Sequence, residues 1–192
     1  MNRALIPALI SASLAPLAAC DPLEDTGDDE CFAVWAEPVE ADVAAEPEVP
    51  GGVFLTVSET AGLRGTTDVT GASLSLRITH LGETEDCGVA VYLSDVEADP
   101  AALPVIEAST SPPASIDGLG ERVASARLAR AAADLPDQEH VEVVVPVSAR
   151  SFVTVAGCPG AALSVHAQLT VDVCTDDWEA VPYEPSLVSR VE

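Results

Sequence analysis

Five cysteines, three histidines and two clusters of acids are the residues of this 192-residue chain that could do chemistry. The cysteines stand at positions 20, 31, 87, 158 and 174, and a thiol can carry a lipid, hold zinc, attack a substrate or close a disulfide. No two of them fall at the C-x₂-C or C-x₄-C spacing of a zinc site. His80, His140 and His166 are scattered, and each reads as a structural or solvated histidine rather than a base or ligand. Cys158-Pro159-Gly160 offers a thiol at a turn, but the chain has no lysine and no nearby histidine to lower its pKa. Gly-x-Ser-x-Gly, a Gly-rich phosphate loop and His-Glu-x-x-His are all missing, which removes the commonest hydrolase and nucleotide signatures. The acids Asp95, Glu97 and Asp99, and separately Asp176 and Asp177, supply oxygen ligands of the kind calcium takes. Calcium needs about six to eight such oxygens on a turned loop. Neither cluster has the Asp-x-Asp-x-Asp-Gly spacing, so a solvated turn is the plainer reading of both.

Cys20 stands apart from the other four. It ends Leu17-Ala18-Ala19-Cys20, behind an apolar run from Ala4 to Ala19 and a start whose positive charge is Arg3 and the amino terminus. A charged start, an apolar stretch shorter than the ~20 residues of a spanning helix and small residues at a cut site make an export leader over 1–19. Its ending resembles the lipobox of bacterial lipoprotein precursors. That resemblance implies cutting before Cys20 by signal peptidase II, a diacylglyceryl group on its sulfur and an acyl chain such as palmitate on the new amino terminus. Two or more chains anchor stably where one does not. The resemblance therefore implies a protein lipid-anchored in a bacterial cell envelope, periplasmic or surface-exposed, with no spanning helix. The competing reading, an ordinary leader with a coincidental cysteine, exports the chain all the same.

Charge narrows the partners. The chain carries 32 acids against 8 basic residues, a formal net charge of −24. Every basic residue is arginine, and removal of residues 1–19 takes away Arg3 and no acid, leaving −25. Nucleic acid and anionic headgroups both demand clustered positive charge, so neither is an expected partner. An acidic surface suits a well-solvated envelope protein, with the membrane met through acyl chains and another envelope protein or a polysaccharide as partner.

The elements that must position these residues are strands. Val53, Leu55 and Val57 alternate with Phe54, Thr56 and Ser58; Leu74, Leu76 and Ile78 alternate with Ser73, Ser75 and Arg77. Val89, Val91 and Leu93 form a third row and Val141, Val143, Val145 and Val147 a fourth. The longest runs unbroken from Leu163 to Val173. Period-two rows of β-branched residues separated by glycine and proline are half-buried strands. The stretch 121–135 is ambiguous. Leu128, Ala131, Ala132 and Leu135 fall at helical spacing, whereas Ala124, Ala126 and Leu128 make the inner face of an edge strand. The strand is preferred because its neighbours are all β. Residues 99–120, rich in proline, read as a long loop, the expected place for a binding function. Residues 37–52 read as an extended connection.

The fold expected is all-β, a single immunoglobulin-like β-sandwich over 31–175, with one short helix at 121–135 as the alternative to a strand. An acidic tether at 20–30 precedes it and a tail at 176–192, containing Trp178 and Tyr183, follows. Four cysteines beyond Cys20 in an oxidising space predict two disulfides. Cys158 and Cys174 flank the long strand, which at ~3.3 Å per residue would hold them roughly 40 Å apart, far beyond the ~7 Å a bridge spans. Alternating strand directions favour Cys31–Cys174 and Cys87–Cys158 at opposite ends. The function expected is non-enzymatic binding, adhesion or assembly in the envelope. A calcium-stabilised surface module is the alternative, and an envelope enzyme with a site in the 99–120 loop is the third reading.

Overall fold

The structure, a computed structural model, describes residues 30–44, 46, 48–59, 67–81, 85–131, 140–148, 150–175 and 185–191. Among these residues eleven strands fall into two antiparallel sheets packed face to face. They are β1 Glu30–Trp35, β2 Val39–Val43, β3 Pro50–Glu59, β4 Thr67–His80, β5 Asp86–Ser94, β6 Ser115–Ile116, β7 Gly120–Ala129, β8 His140–Pro146, β9 Arg150–Pro159, β10 Leu163–Thr175 and β11 Pro185–Val191. The first sheet runs β1-β10-β4-β8, with β2 paired to β10 as well; the second runs β11-β3-β9-β5-β7-β6. No described helix is long and apolar enough to cross a membrane.

Alternation in β10 sets the first sheet. Leu163, Val165, Ala167, Leu169, Val171 and Val173 are all buried. Their neighbours His166 and Asp172 lie exposed on the outer face. Leu74, Leu76 and Ile78 of β4 join the same core. Each of these aliphatic side chains contributes about 1.5–3 kcal/mol by leaving water, so a one-residue slip of register would forfeit the whole row.

The second sheet departs from simple alternation. Both faces of β9 are buried from Ser151 to Cys158, and both faces of β5 from Cys87 to Tyr92. The cause is the segment between β5 and β7, which lies across the outer face of this sheet. Its Ala98, Ile106 and Leu119 close over Phe54, Ala90, Tyr92 and Ala156 in a second apolar cluster. A short 3₁₀ turn at Pro100–Ala102 starts the cover, capped by the Asp99 carboxylate, which accepts from the Ala101 N–H at 3.0 Å. The cover presses close enough that a Cβ on Gly88 would meet the Glu107 carbonyl oxygen at 2.8 Å. At the cover's edge Glu97 reaches Arg190 at 3.8 Å, and the Arg190 guanidinium lies 5.2 Å from the Phe54 ring centre.

Three sequence expectations change. The sandwich continues past residue 175, because 185–191 form β11 along β3 instead of a tail; of its apolar residues only Leu187 packs on the main core, so its signal was faint. The 37–52 connection contains β2 and the start of β3, since Ala41 and Val43 point inward between Glu40 and Asp42. The 99–120 loop is a packed cover holding the 3₁₀ turn and β6. The stretch 121–135 is strand β7 as far as Ala129, and 132–135 lie outside the described residues.

Tyr92 is the orphan of the covered face. Its side chain is fully buried and its hydroxyl has no hydrogen-bond partner among the described residues. Burial raises its phenol pKa above the ordinary range, with the nearby Arg122 guanidinium opposing in part. A buried hydroxyl without a partner costs its full desolvation, so Tyr92→Phe is expected to raise stability by about 1 kcal/mol. The raised phenol holds its proton in the folded chain when the unfolded chain has released it. Stability is therefore complete below the ordinary tyrosine range and falls as pH climbs above it. Thermal melts of parent and Tyr92→Phe at neutral and alkaline pH check both points. A loss of stability on substitution would mean that the hydroxyl has a partner.

Candidate functional site

The four cysteines of the domain are consumed in two bridges, Cys31–Cys174 and Cys87–Cys158. Cys31 and Cys174 are direct register partners on β1 and β10, with Cα atoms 4.0 Å apart at the end where the chain enters the sandwich. Cys87 and Cys158 join β5 to β9 at the other end, with Cα atoms 5.5 Å apart, and both are buried in the main core. Each bridge links neighbours within one sheet, unlike the inter-sheet bridge of immunoglobulin domains. Neither Cys31 nor Cys158 is thus available as a nucleophile. Cys20 lies outside the described residues.

The acids proposed for calcium part company. Asp99 is spent capping its turn and Glu97 is drawn to Arg190, leaving Asp95 alone beside the end cleft described below. Among the described residues no three His, Cys, Asp or Glu side chains gather as a metal site. Asp176 and Asp177 lie outside the described residues.

The histidines divide by burial. His80 is wholly buried, and its Nδ1 lies 3.2 Å from the Ala162 carbonyl oxygen, which can only accept, so this nitrogen carries the proton. His166 and His140 belong to a row that crosses the outer face of the first sheet. Register aligns Glu40 on β2, His166 on β10, Arg77 on β4 and Glu142 on β8. His166 lies 3.5 Å from Glu40, Arg77 lies 3.0 Å from Glu142, and His140 lies 3.5 Å from that same carboxylate. The hydrogen bond from Arg77, and its charge, hold the Glu142 pKa below the usual carboxylate range. Cross-strand pairs of opposite sign favour register, but all of these groups are exposed to water, where such pairs contribute little. The row reads as a solvated ladder.

Concavities open at several places on the described residues, two of them at the sandwich end and the β7–β8 side. An end cleft of about 840 Å³ lies among Ser94, Asp95, Asp117, Glu121, Ser148 and Ser151. Ser151 Oγ accepts from the Ser148 N–H at 2.9 Å, and the two hydroxyls are 3.1 Å apart, so both serve the β8–β9 turn. Among the described residues the cleft is lined by carboxylates and turn serines, with no imidazole or arginine. The other is a side groove of about 360 Å³ between β7 and β8, lined by apolar side chains from both sheets and by Ser125 and Glu142. Sequence reading missed it, although its signal was present: the inward residues of β7 include two alanines where other strands carry valine or leucine. No protein-family model, no curated protein and no solved structure matches this chain.

Proposed function

We propose that this chain is a lipid-anchored, non-enzymatic protein of the bacterial cell envelope, whose acidic sandwich binds another envelope protein. One observation carries the reading. Every cysteine of the domain is paired, and the single cysteine left over is the one that ends Leu17-Ala18-Ala19-Cys20. Paired cysteines belong to an oxidising compartment, and an odd thiol there needs a purpose; acylation supplies it. The bridge at Cys31 then fixes the strand to which the ten preceding acidic and small residues lead. The binding role is supported by a concave, mainly apolar side between β7 and β8.

Radiolabelled palmitate fed to a bacterium that makes the full chain tests the anchor. Label is expected on the parent protein in the membrane fraction and is expected to vanish in Cys20→Ser, which should also keep residues 1–19. A Cys20→Ser protein that still takes up label, or a parent without label, would defeat the reading.

A further inference from the structure

The groove between β7 and β8 is where the two sheets fail to close. β8 pairs with β4 alone, and β7 pairs with β5 on one side and with the two-residue β6 on the other. Val89, Val91, Ala124, Ala126, Val141 and Val143 line the opening, together with the polar Ser125 and Glu142. Val141 and Val143 stay half-buried, and Val144 on the rim is 67% exposed. An apolar lining reached from both sheets is an incompletely covered core.

Backbone direction says which edge is available. The Arg130 N–H donates to the Glu85 carbonyl on the β5 side. Direction alternates along an antiparallel strand, so Ser125, Arg127 and Ala129 turn their N–H and C=O groups away from β5. No described strand meets them there. On β8 the Val147 N–H donates to the Ala72 carbonyl on the β4 side, which leaves Pro146 facing outward, where proline offers no N–H. Proline in that position blunts an edge. The β7 edge carries no such block.

Charge says what would come to it. Arg122, Arg127 and Arg130 place three of the chain's eight basic residues within nine positions, on a protein of formal charge −24. Arg122 donates to the Pro112 carbonyl oxygen. Arg127 and Arg130 are exposed, and neither has an ion pair among the described residues. Outward N–H and C=O groups at a two-residue repeat match a polypeptide backbone and nothing simpler. The apolar lining calls for small aliphatic side chains at alternate positions, and the arginines call for carboxylates between them. A second copy would bring its own large negative charge to the contact, which opposes self-pairing.

We infer that the β7 edge takes an added β-strand from a partner protein, one whose residues alternate between small apolar and acidic. The inference rests on the binding reading above, while lipid attachment at Cys20 is scored separately, so the two can fail independently.

The test uses a fluorescein-labelled peptide of about eight residues alternating valine and glutamate, a typical strand length. Fluorescence anisotropy against the disulfide-intact domain is expected to show saturable binding. Ser125→Pro removes an outward N–H without touching the β5 ladder and is expected to weaken binding about tenfold or more. Its melting temperature serves as the control for folding. Arg127→Glu combined with Arg130→Glu, both at exposed positions, is expected to weaken binding by about the same factor even if the proline variant misfolds. A valine–lysine peptide, drawn to the acidic surface at large, is expected to lose no binding in Ser125→Pro. The inference is overturned if the valine–glutamate peptide fails to bind the parent, or if a folded Ser125→Pro variant binds it as tightly as the parent does. It is also overturned if the parent is a dimer that Ser125→Pro converts to monomer, since a second copy would then own the edge.

Discussion

Replacing Cys87 and Cys158 together by alanine is expected to lower stability by about 4 kcal/mol from lost chain constraint alone. The bridge closes a loop with a sequence separation of 71. Both sulfurs sit inside the main core, so the alanines also leave a void, worth roughly a further 1–2 kcal/mol. The backbone N–H of Cys158 lies 3.1 Å from the Cys87 sulfur and loses that contact too. For a domain of this size the total corresponds to a fall of about 10–20 °C in melting temperature. The other bridge makes the comparison informative. Cys31–Cys174 spans a separation of 143, but the residues closed off by the inner bridge no longer count toward that loop. The two therefore constrain loops of similar effective length. Cys31 is exposed, so Cys31→Ser with Cys174→Ser is expected to cost about 4 kcal/mol without the cavity term. Differential scanning calorimetry of the two double variants should rank the inner pair as more damaging. A melting temperature within a degree of the parent for the inner pair would refute its place in the core.

Gly120→Ala is expected to cost about 3 kcal/mol or more, from one methyl group. Gly120 begins β7 with a φ of +87°, and a Cβ there would collide with the Leu93 carbonyl across the ladder. Gly118, two residues earlier, supplies the control. Its φ is +86°, yet the nearest atom to an added Cβ is Asp99 Cβ at 3.6 Å, ordinary contact. Gly118→Ala therefore carries only the left-handed backbone penalty, about 1 kcal/mol. The difference isolates steric approach from dihedral preference. Urea titration of both variants measures it, and equal losses would show that the close approach of β7 to Leu93 is absent. Gly120 matters beyond stability, since it sets where β7 starts and hence which of its residues face the open groove.

Most of the main sheet core was legible because burial on one face forces period two. The rows at 74–78, 141–147 and 163–173 needed no tertiary knowledge to read. The cysteine pairing followed from the same regularity, since a straight β10 keeps Cys158 and Cys174 apart. What escaped was whatever lacks that asymmetry. Residues 99–120 look like an open loop because their apolar residues, Leu103, Ile106 and Leu119 among them, follow no period, yet they cover the outer face of β3, β5 and β9. That cover also explains why β9 reads Phe152-Val153-Thr154-Val155-Ala156 with no clean polar side. β2 and β11 were missed because edge strands bury few residues and mix acids or serines between them. The side groove was hidden for a related reason: Ala124 and Ala126 favour a helix by propensity as readily as a strand, and only the pairing with β5 decides. At 95–99, spacing in sequence cannot reveal that Asp99 caps a turn while Glu97 leans toward Arg190.

The anchoring claim is tested most directly by mass spectrometry of the protein extracted in detergent from bacterial membranes and digested without reduction. The account predicts a first peptide starting at Cys20 with the added mass of a diacylglyceryl group, together with linked peptides joining Cys31 to Cys174 and Cys87 to Cys158. A first peptide that still contains residues 1–19 on an unmodified Cys20, or free thiols at those four positions, would contradict it.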